Sequence, residues 1–129
     1  MPRTQLVFFK EDDGTVPVRD WLVKLQTRQR RAFAKCVVRI RRLAELGHEL
    51  RRPEADLLRD GIYELRAREG RVNYRLLYFF HGRNVAVLTH ALTKEDKVPK
   101  GEIDRAVERM AMFESDPARH SYMEEMPDA

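Results

Sequence analysis

Between positions 61 and 92 the chain repeats one pattern three times, and this repetition limits the possible fold more than any other feature. Strand-type runs at 61–66, 73–80 and 85–92, apolar residues interrupted by Glu64, Arg66, Asn73, Arg75, Thr89 and His90, are separated by the short polar steps Glu69-Gly70 and Gly82-Arg83. Alternation with period two marks strands, and steps that short join neighbouring strands as hairpins. The expectation is an antiparallel meander. Strand side chains point alternately to two faces, so each face can be written out. One takes Tyr63, Leu65, Ala67, Val72, Tyr74, Leu76, Tyr78, Phe80, Val85, Val87, Thr89 and Ala91, and should pack on helices. The other takes Glu64, Arg66, Arg68, Asn73, Arg75, Leu77, Phe79, Ala86, Leu88, His90 and Leu92. It is polar at one end and apolar at the other.

Turn length sets the pairing. With even-length turns Phe80 pairs with Val85, Arg75 faces both His90 and Glu64, and Arg66 faces Asn73. Directly opposed residues have Cβ atoms roughly 4.5–5.5 Å apart, so Glu64, Arg66, Arg75 and His90 would cluster on an open end of the sheet. A turn of odd length would carry one strand's set to the far face.

Around the meander the periodicity becomes helical. Leu6-Val7-Phe8-Phe9 reads as a first strand, closed by Asp12-Asp13-Gly14, and Thr15 with Pro17 marks a helix start. Val18, Trp21, Leu22 and Leu25 form one stripe, and Phe33, Cys36, Val37, Ile40 and Leu43 form a second that stops at Gly47. The pause between Thr27 and Gln29 fits two helices or one bent helix. Residues 47–60 read as a loop, in which Arg51-Arg52-Pro53 blocks helix continuation. Pro99 opens a last helix with the stripe Ile103, Ala106, Val107, Met110 and Phe113. The fold class is therefore α+β: an N-terminal strand and two helices (or one bent helix) on a mainly antiparallel four-stranded sheet, plus a C-terminal helix.

A chain of 129 residues suits one domain. That domain is expected over 1–113, with 114–129 as an acidic, flexible tail. Glu114, Asp116, Glu124, Glu125 and Asp128 face Arg119 alone there, so a net charge of −4 in the tail leaves about +8 on the rest. A basic body suits a polyanion. Arg28, Arg30, Arg31, Lys35, Arg39, Arg41 and Arg42 are either a solvated helix face or a footprint that follows a phosphate backbone. No apolar run approaches the ~20 residues of a membrane span, so a cytoplasmic protein with no membrane partner is expected. The single cysteine, Cys36, excludes an intrachain disulfide and a cysteine-based zinc site, and its place in an apolar stripe reads as a buried thiol. The four histidines lack metal-ligand spacing, so neither metal nor cofactor is expected.

The chemistry of the polar face follows from its residue types. Arg66 and Arg75 are permanently charged forks suited to phosphate oxygens. His90 is the acid or base candidate, and Glu64 could orient the Arg75 fork. Phe79 is the aromatic best placed to stack on a base. A cross-strand Glu64–Arg75 ion pair with His90 as a bystander is the plainer alternative.

The same segments resemble the RelE/HigB superfamily of toxins from type II toxin–antitoxin systems, in its phage-derived HigB-like branch. The resemblance spans roughly 8–110. It is densest in Gly61-Ile62-Tyr63-Glu64-Leu65-Arg66, Tyr74-Arg75-Leu76-Leu77-Tyr78-Phe79, His90-Ala91-Leu92-Thr93-Lys94, and Lys97-Val98-Pro99 with Glu102-Ile103, Ala106 and Arg109. It implies a RelE-like fold and an mRNA endonuclease that works on messages in the ribosomal A site without a cofactor. It also implies a helix-turn-helix antitoxin as partner, through which the toxin meets operator DNA. Arg66, Arg75, His90 and Lys94 match the catalytic positions, and Lys97 is an accessory one. Glu64, Asn73, Lys97 and Phe79 make up the expected substrate-binding set. Where many relatives carry a second basic residue after Lys94, this chain has Glu95-Asp96. Tyr122 does not match the C-terminal tyrosine that some members use. Two other readings therefore stand beside the nuclease: a non-catalytic RNA- or ribosome-binding module, and an antitoxin-binding subunit that regulates its operon.

Overall fold

The computed structural model describes residues 3–93 and 97–123. Strand β1 (Gln5–Phe9) leads into helices α1 (Pro17–Arg28) and α2 (Arg30–Leu46). The pause between the two apolar stripes is a true break, because Gln29 leaves the helical region with φ −140° and ψ 75°. Gly47 ends α2 at φ +52°, a conformation that favours glycine, and a Cβ there would collide with Thr4 Oγ1.

A six-stranded mixed sheet follows, two strands more than the sequence suggests. Strand β2 (Ala55–Arg59) lies in the expected 47–60 loop. Asp60 (φ +52°) and Gly61 (φ +82°) turn it into β3 (Ile62–Glu69) through a two-residue turn with positive φ at both positions, the type that matches strand twist. Strands β4 (Val72–His81) and β5 (Val85–Thr93) complete the meander, helix α3 (Lys100–Ser115) crosses it, and β6 (Ser121–Tyr122) ends the described chain. The order is β2-β3-β4-β5-β1-β6, with β1 parallel to β5 and β6 antiparallel to β1. Residues 114–123, the start of the expected tail, hold the end of α3 and a strand on the edge of β1. His120 is buried there, its ring stacked on Phe9 at 5.2 Å. The rest of the tail lies outside the described residues.

Helices α1 and α2 cover one face of the sheet and α3 the other. The first core joins Val18, Leu22, Cys36 and Ile40 to Leu65, Leu76, Tyr78 and Leu88. The second joins Phe9, Ile62, Leu77, Phe79 and Val87 to Ala106 and Phe113 of α3. Burial pushes the Cys36 thiol up to about 12, as an enclosed thiol should behave.

The first half of β5 is turned over relative to the expected pattern. Ala86 and Leu88 face α1 and α2, whereas Val85 and Val87 lie under α3. The cause is the loop Gly82-Arg83-Asn84. It has three residues, so His81 pairs with Val85 and Phe80 with Ala86. A bulge then sets Leu77 opposite His90 and leaves Thr89 without a ladder partner, which restores the original parity beyond it.

A candidate phosphate site on the meander

Register alone brings four polar residues together. One row across the sheet runs Asp56, Glu64, Leu77, His90, and the next runs Arg66, Arg75, Leu92. Glu64, Arg66, Arg75 and His90 therefore share a face, as expected, but with different neighbours. The β3–β4 turn is Gly70-Arg71, one step later than Glu69-Gly70, and the pairing moves by two residues. Arg66 now stands directly opposite Arg75, and Asn73 opposite Arg68. Arg75 sits diagonal to both Glu64 and His90.

Two guanidinium groups at a directly opposed position repel unless an anion lies between them. Glu64 is that anion. Its Oε1 accepts from Arg66 Nη2 and its Oε2 from Arg75 Nη1, the latter at 2.8 Å. With one carboxylate for two guanidinium groups, the trio keeps a net positive charge. Glu64 and Arg75 are buried, and only the Arg66 side chain, 34% exposed, reaches the surface. The cluster is thus mostly covered, not on an open end of the sheet. The Nε atoms of both arginines and Nε2 of His90 are buried and have no hydrogen-bond partner among the described residues.

His90 is buried beneath α3. Its Nδ1 lies 3.0 Å from Thr89 Oγ1, which donates to the Leu77 carbonyl at 3.4 Å. When that hydroxyl donates to the carbonyl, Nδ1 carries the ring proton and Nε2 keeps the lone pair; the opposite tautomer reverses both roles. Burial first, then the charges of Arg109 and Arg105, push the ring down from 6.5 to about 4. Glu102 Oε2 stands 3.6 Å from Nε2, outside hydrogen-bond reach. Its charge favours the protonated ring, but burial and the two arginines outweigh it. His90 is neutral near pH 7.

The remaining expected residues are dispersed. Phe79 is fully buried, edge-on to Phe113 at 5.6 Å, and is not available for stacking on a base. Asn73 is half-buried and Lys97 exposed just ahead of α3. Lys94 lies outside the described residues. Part of the basic α2 face is engaged within the protein: Arg39 and Arg42 hold Glu54, and Lys35 holds Glu69 at 3.0 Å. Arg28, Arg30 and Arg31 are exposed.

Sequence reasoning missed the surroundings contributed by other elements. Glu102, Arg105 and Arg109 reach the site only because α3 crosses it. Arg109 donates to Glu11 at 3.0 Å and to the Thr89 carbonyl at 3.4 Å, which pins the helix over the bulge. Asp56 extends the Glu64 row to the sheet edge, where Arg52 holds its carboxyl below the usual range. The Asp60-Gly61 turn signal could have revealed that strand. Among the described residues no cluster of histidine, cysteine and carboxylate side chains could hold a metal, and no helix is long and apolar enough to cross a membrane.

No curated protein matches the chain. The family model described as Phage derived protein Gp49-like (DUF891) matches residues 20–111, most of the chain, and the protein belongs to that phage-derived family.

Proposed function

We propose that this protein is the toxin of a type II toxin–antitoxin system, of RelE-like fold, and that it inhibits translation in the cytoplasm by metal-independent cleavage of mRNA on the ribosome. The Gp49-like family is a RelE/HigB-like toxin family, which supports the toxin reading and a helix-turn-helix antitoxin as partner. The observation that carries the chemistry is the set of unmatched polar atoms. Among the described residues, two buried guanidinium Nε–H groups and the buried Nε2 of His90 have no hydrogen-bond partner around a net positive trio. Each buried donor left unmatched costs about 1–3 kcal/mol, and a phosphodiester supplies the acceptors and the missing charge.

In the proposed reaction the 2′-oxygen attacks phosphorus as the bond to the 5′-oxygen breaks, leaving a 2′,3′-cyclic phosphate and a 5′-hydroxyl. Arg66 and Arg75 stabilise the charge on the phosphorane. Glu64, whose oxygens are occupied by both forks, orients them and is a poor base. His90 Nε2 takes the proton of the 2′-hydroxyl. A docked phosphodiester favours the protonated ring and so raises its basicity, and Glu102 stabilises the imidazolium. Lys94 is the proposed donor to the 5′-oxygen, and Asn73 and Lys97 are proposed contacts to the flanking backbone.

The cleanest test uses Arg66, the most exposed of the set. Expression of the wild-type chain without antitoxin should arrest growth and create new mRNA ends. Arg66→Ala should lower cleavage by about 10²-fold with its folding intact. A folded alanine variant that still cuts mRNA at the wild-type rate refutes the role. The burial of Glu64, Arg75 and His90 favours one second reading, a non-catalytic subunit that serves the antitoxin or the operon. Such a protein would arrest no growth and leave mRNA ends unchanged.

A further inference from the structure

We propose that Arg39, on α2, is a positioning residue for Arg66, and that with Glu54 it replaces a strand partner that β3 lacks; this rests on the nuclease reading above. In an antiparallel hydrogen-bonded pair the two residues exchange both backbone bonds. Arg66 N–H donates to the Glu54 carbonyl at 2.8 Å, so the reciprocal bond should run from Glu54 N–H to the Arg66 carbonyl. It does not. Glu54 N–H turns away to the Arg51 carbonyl at 3.0 Å, where the chain bends ahead of β2. Arg39 Nε fills the gap and donates to the Arg66 carbonyl at 3.0 Å.

The same fork closes a ring. Arg39 Nη1 donates to Glu54 Oε1, and Glu54 is held again by Arg42 through Nε at 2.6 Å and Nη2 at 3.0 Å. Glu54 thus grips Arg66 by its backbone and Arg39 by its carboxylate, while Arg39 returns to the Arg66 carbonyl. The contact falls where it matters most. The β2–β3 ladder ends with Ala55 opposite Leu65, so Arg66 stands at the point where the outer side of β3 loses its strand. Edge backbone without a partner frays. The guanidinium of Arg66 must nevertheless meet Glu64 and stand opposite Arg75, and a misplacement of about 1 Å can cost about 10²-fold in rate.

A tie that merely holds α2 to the sheet would predict lost stability and nothing more, so the test reads a coupling. Cleavage of ribosome-bound mRNA is measured under single-turnover conditions for the wild type, Arg39→Ala, Arg66→Ala and the double variant, with thermal melting beside it. Arg39→Ala should slow cleavage about 10- to 100-fold at saturating message, with the half-saturating concentration within about twofold. In the Arg66→Ala background the same change should cost nothing further, because Arg39 acts through Arg66. If Arg39→Ala does not fold, Arg39→Lys is read the same way, since it keeps a cation on Glu54 but cannot also bridge to the carbonyl. An undiminished rate in a folded Arg39 variant, or an equal loss in both backgrounds, overturns the positioning role and leaves the nuclease reading standing. Full cleavage by Arg66→Ala overturns both.

Discussion

Acidification should destabilise this protein through His90 before the arginine-paired carboxylates Glu54, Asp56 and Asp104 protonate. The ring is enclosed by Thr89 and Leu77 of the sheet and by Glu102, Arg105 and Arg109 of α3, and it is held down to about 4 from 6.5. In the unfolded chain the same ring takes a proton near pH 6.5. Between those values the native state binds fewer protons than the unfolded state, so stability rises with pH across this window. It is complete above pH 6.5 and lost progressively as the pH falls toward 4. At about 1.4 kcal/mol per pH unit the whole window is worth about 3 kcal/mol, a large part of the 5–15 kcal/mol that holds a domain together. Descending only to pH 5 should remove about 2 kcal/mol. The arginine-paired carboxylates Glu54, Asp56 and Asp104 titrate below their ordinary values of 4.5, 3.8 and 3.8, so they contribute at lower pH. Urea unfolding at pH 7.5, 6.5, 5.5 and 5.0 measures the slope, with His90→Gln as the control that keeps shape and polarity without a titrating ring. The wild type should lose stability faster than the variant across this range. Parallel curves for the two proteins would refute a buried, neutral His90.

Other perturbations test separate parts of the structure. Glu64→Ala leaves Arg66 and Arg75 opposed without their shared carboxylate, and should cost about 3–5 kcal/mol in chemical denaturation. Added inorganic phosphate should return part of that loss, and an alanine variant as stable as the wild type would contradict the bridging role. Gly47→Ala combines a positive φ with a Cβ placed against Thr4, so its melting temperature should fall by an amount equivalent to about 1–3 kcal/mol. Cys36 should react with a thiol reagent only as fast as the protein unfolds; immediate labelling of the native state would show an accessible thiol.

The parts of the fold visible in the sequence are those set by local periodicity. The α1, α2 and α3 stripes and the alternation of the meander need no knowledge of what packs on them. The shared face of Glu64, Arg66 and Arg75 was also legible, because a two-residue slip at the Gly70-Arg71 turn preserves parity while exchanging every partner. His90 kept its face for a less secure reason: the odd-length loop at Gly82 and the bulge at Thr89 each shift β5 by one residue in the same direction, and the two-residue total restores its parity while changing every partner. Between them the first half of the strand is inverted.

What remained hidden depends on tertiary contact. Strand β2 is short, and a register shift between Leu57 and Arg59 blurs its alternation. Strand β6 has two residues and exists through its pairing with Phe8 and Phe9. The burial of Arg75, His90 and Phe79 depends on how α3 crosses the sheet, and a stripe on that helix does not say which residues it covers. Polar residues drawn on an open face can therefore lie under a helix.

The chemistry of the cut ends tests the central claim most directly. mRNA recovered from stalled ribosomes, kept intact in magnesium buffer and treated with purified protein previously stripped of metal, should carry new 5′-hydroxyl ends matched by 2′,3′-cyclic phosphate ends. Intact mRNA, or 5′-phosphate ends in place of 5′-hydroxyl ends, would contradict a phosphate site built from Arg66, Arg75 and His90.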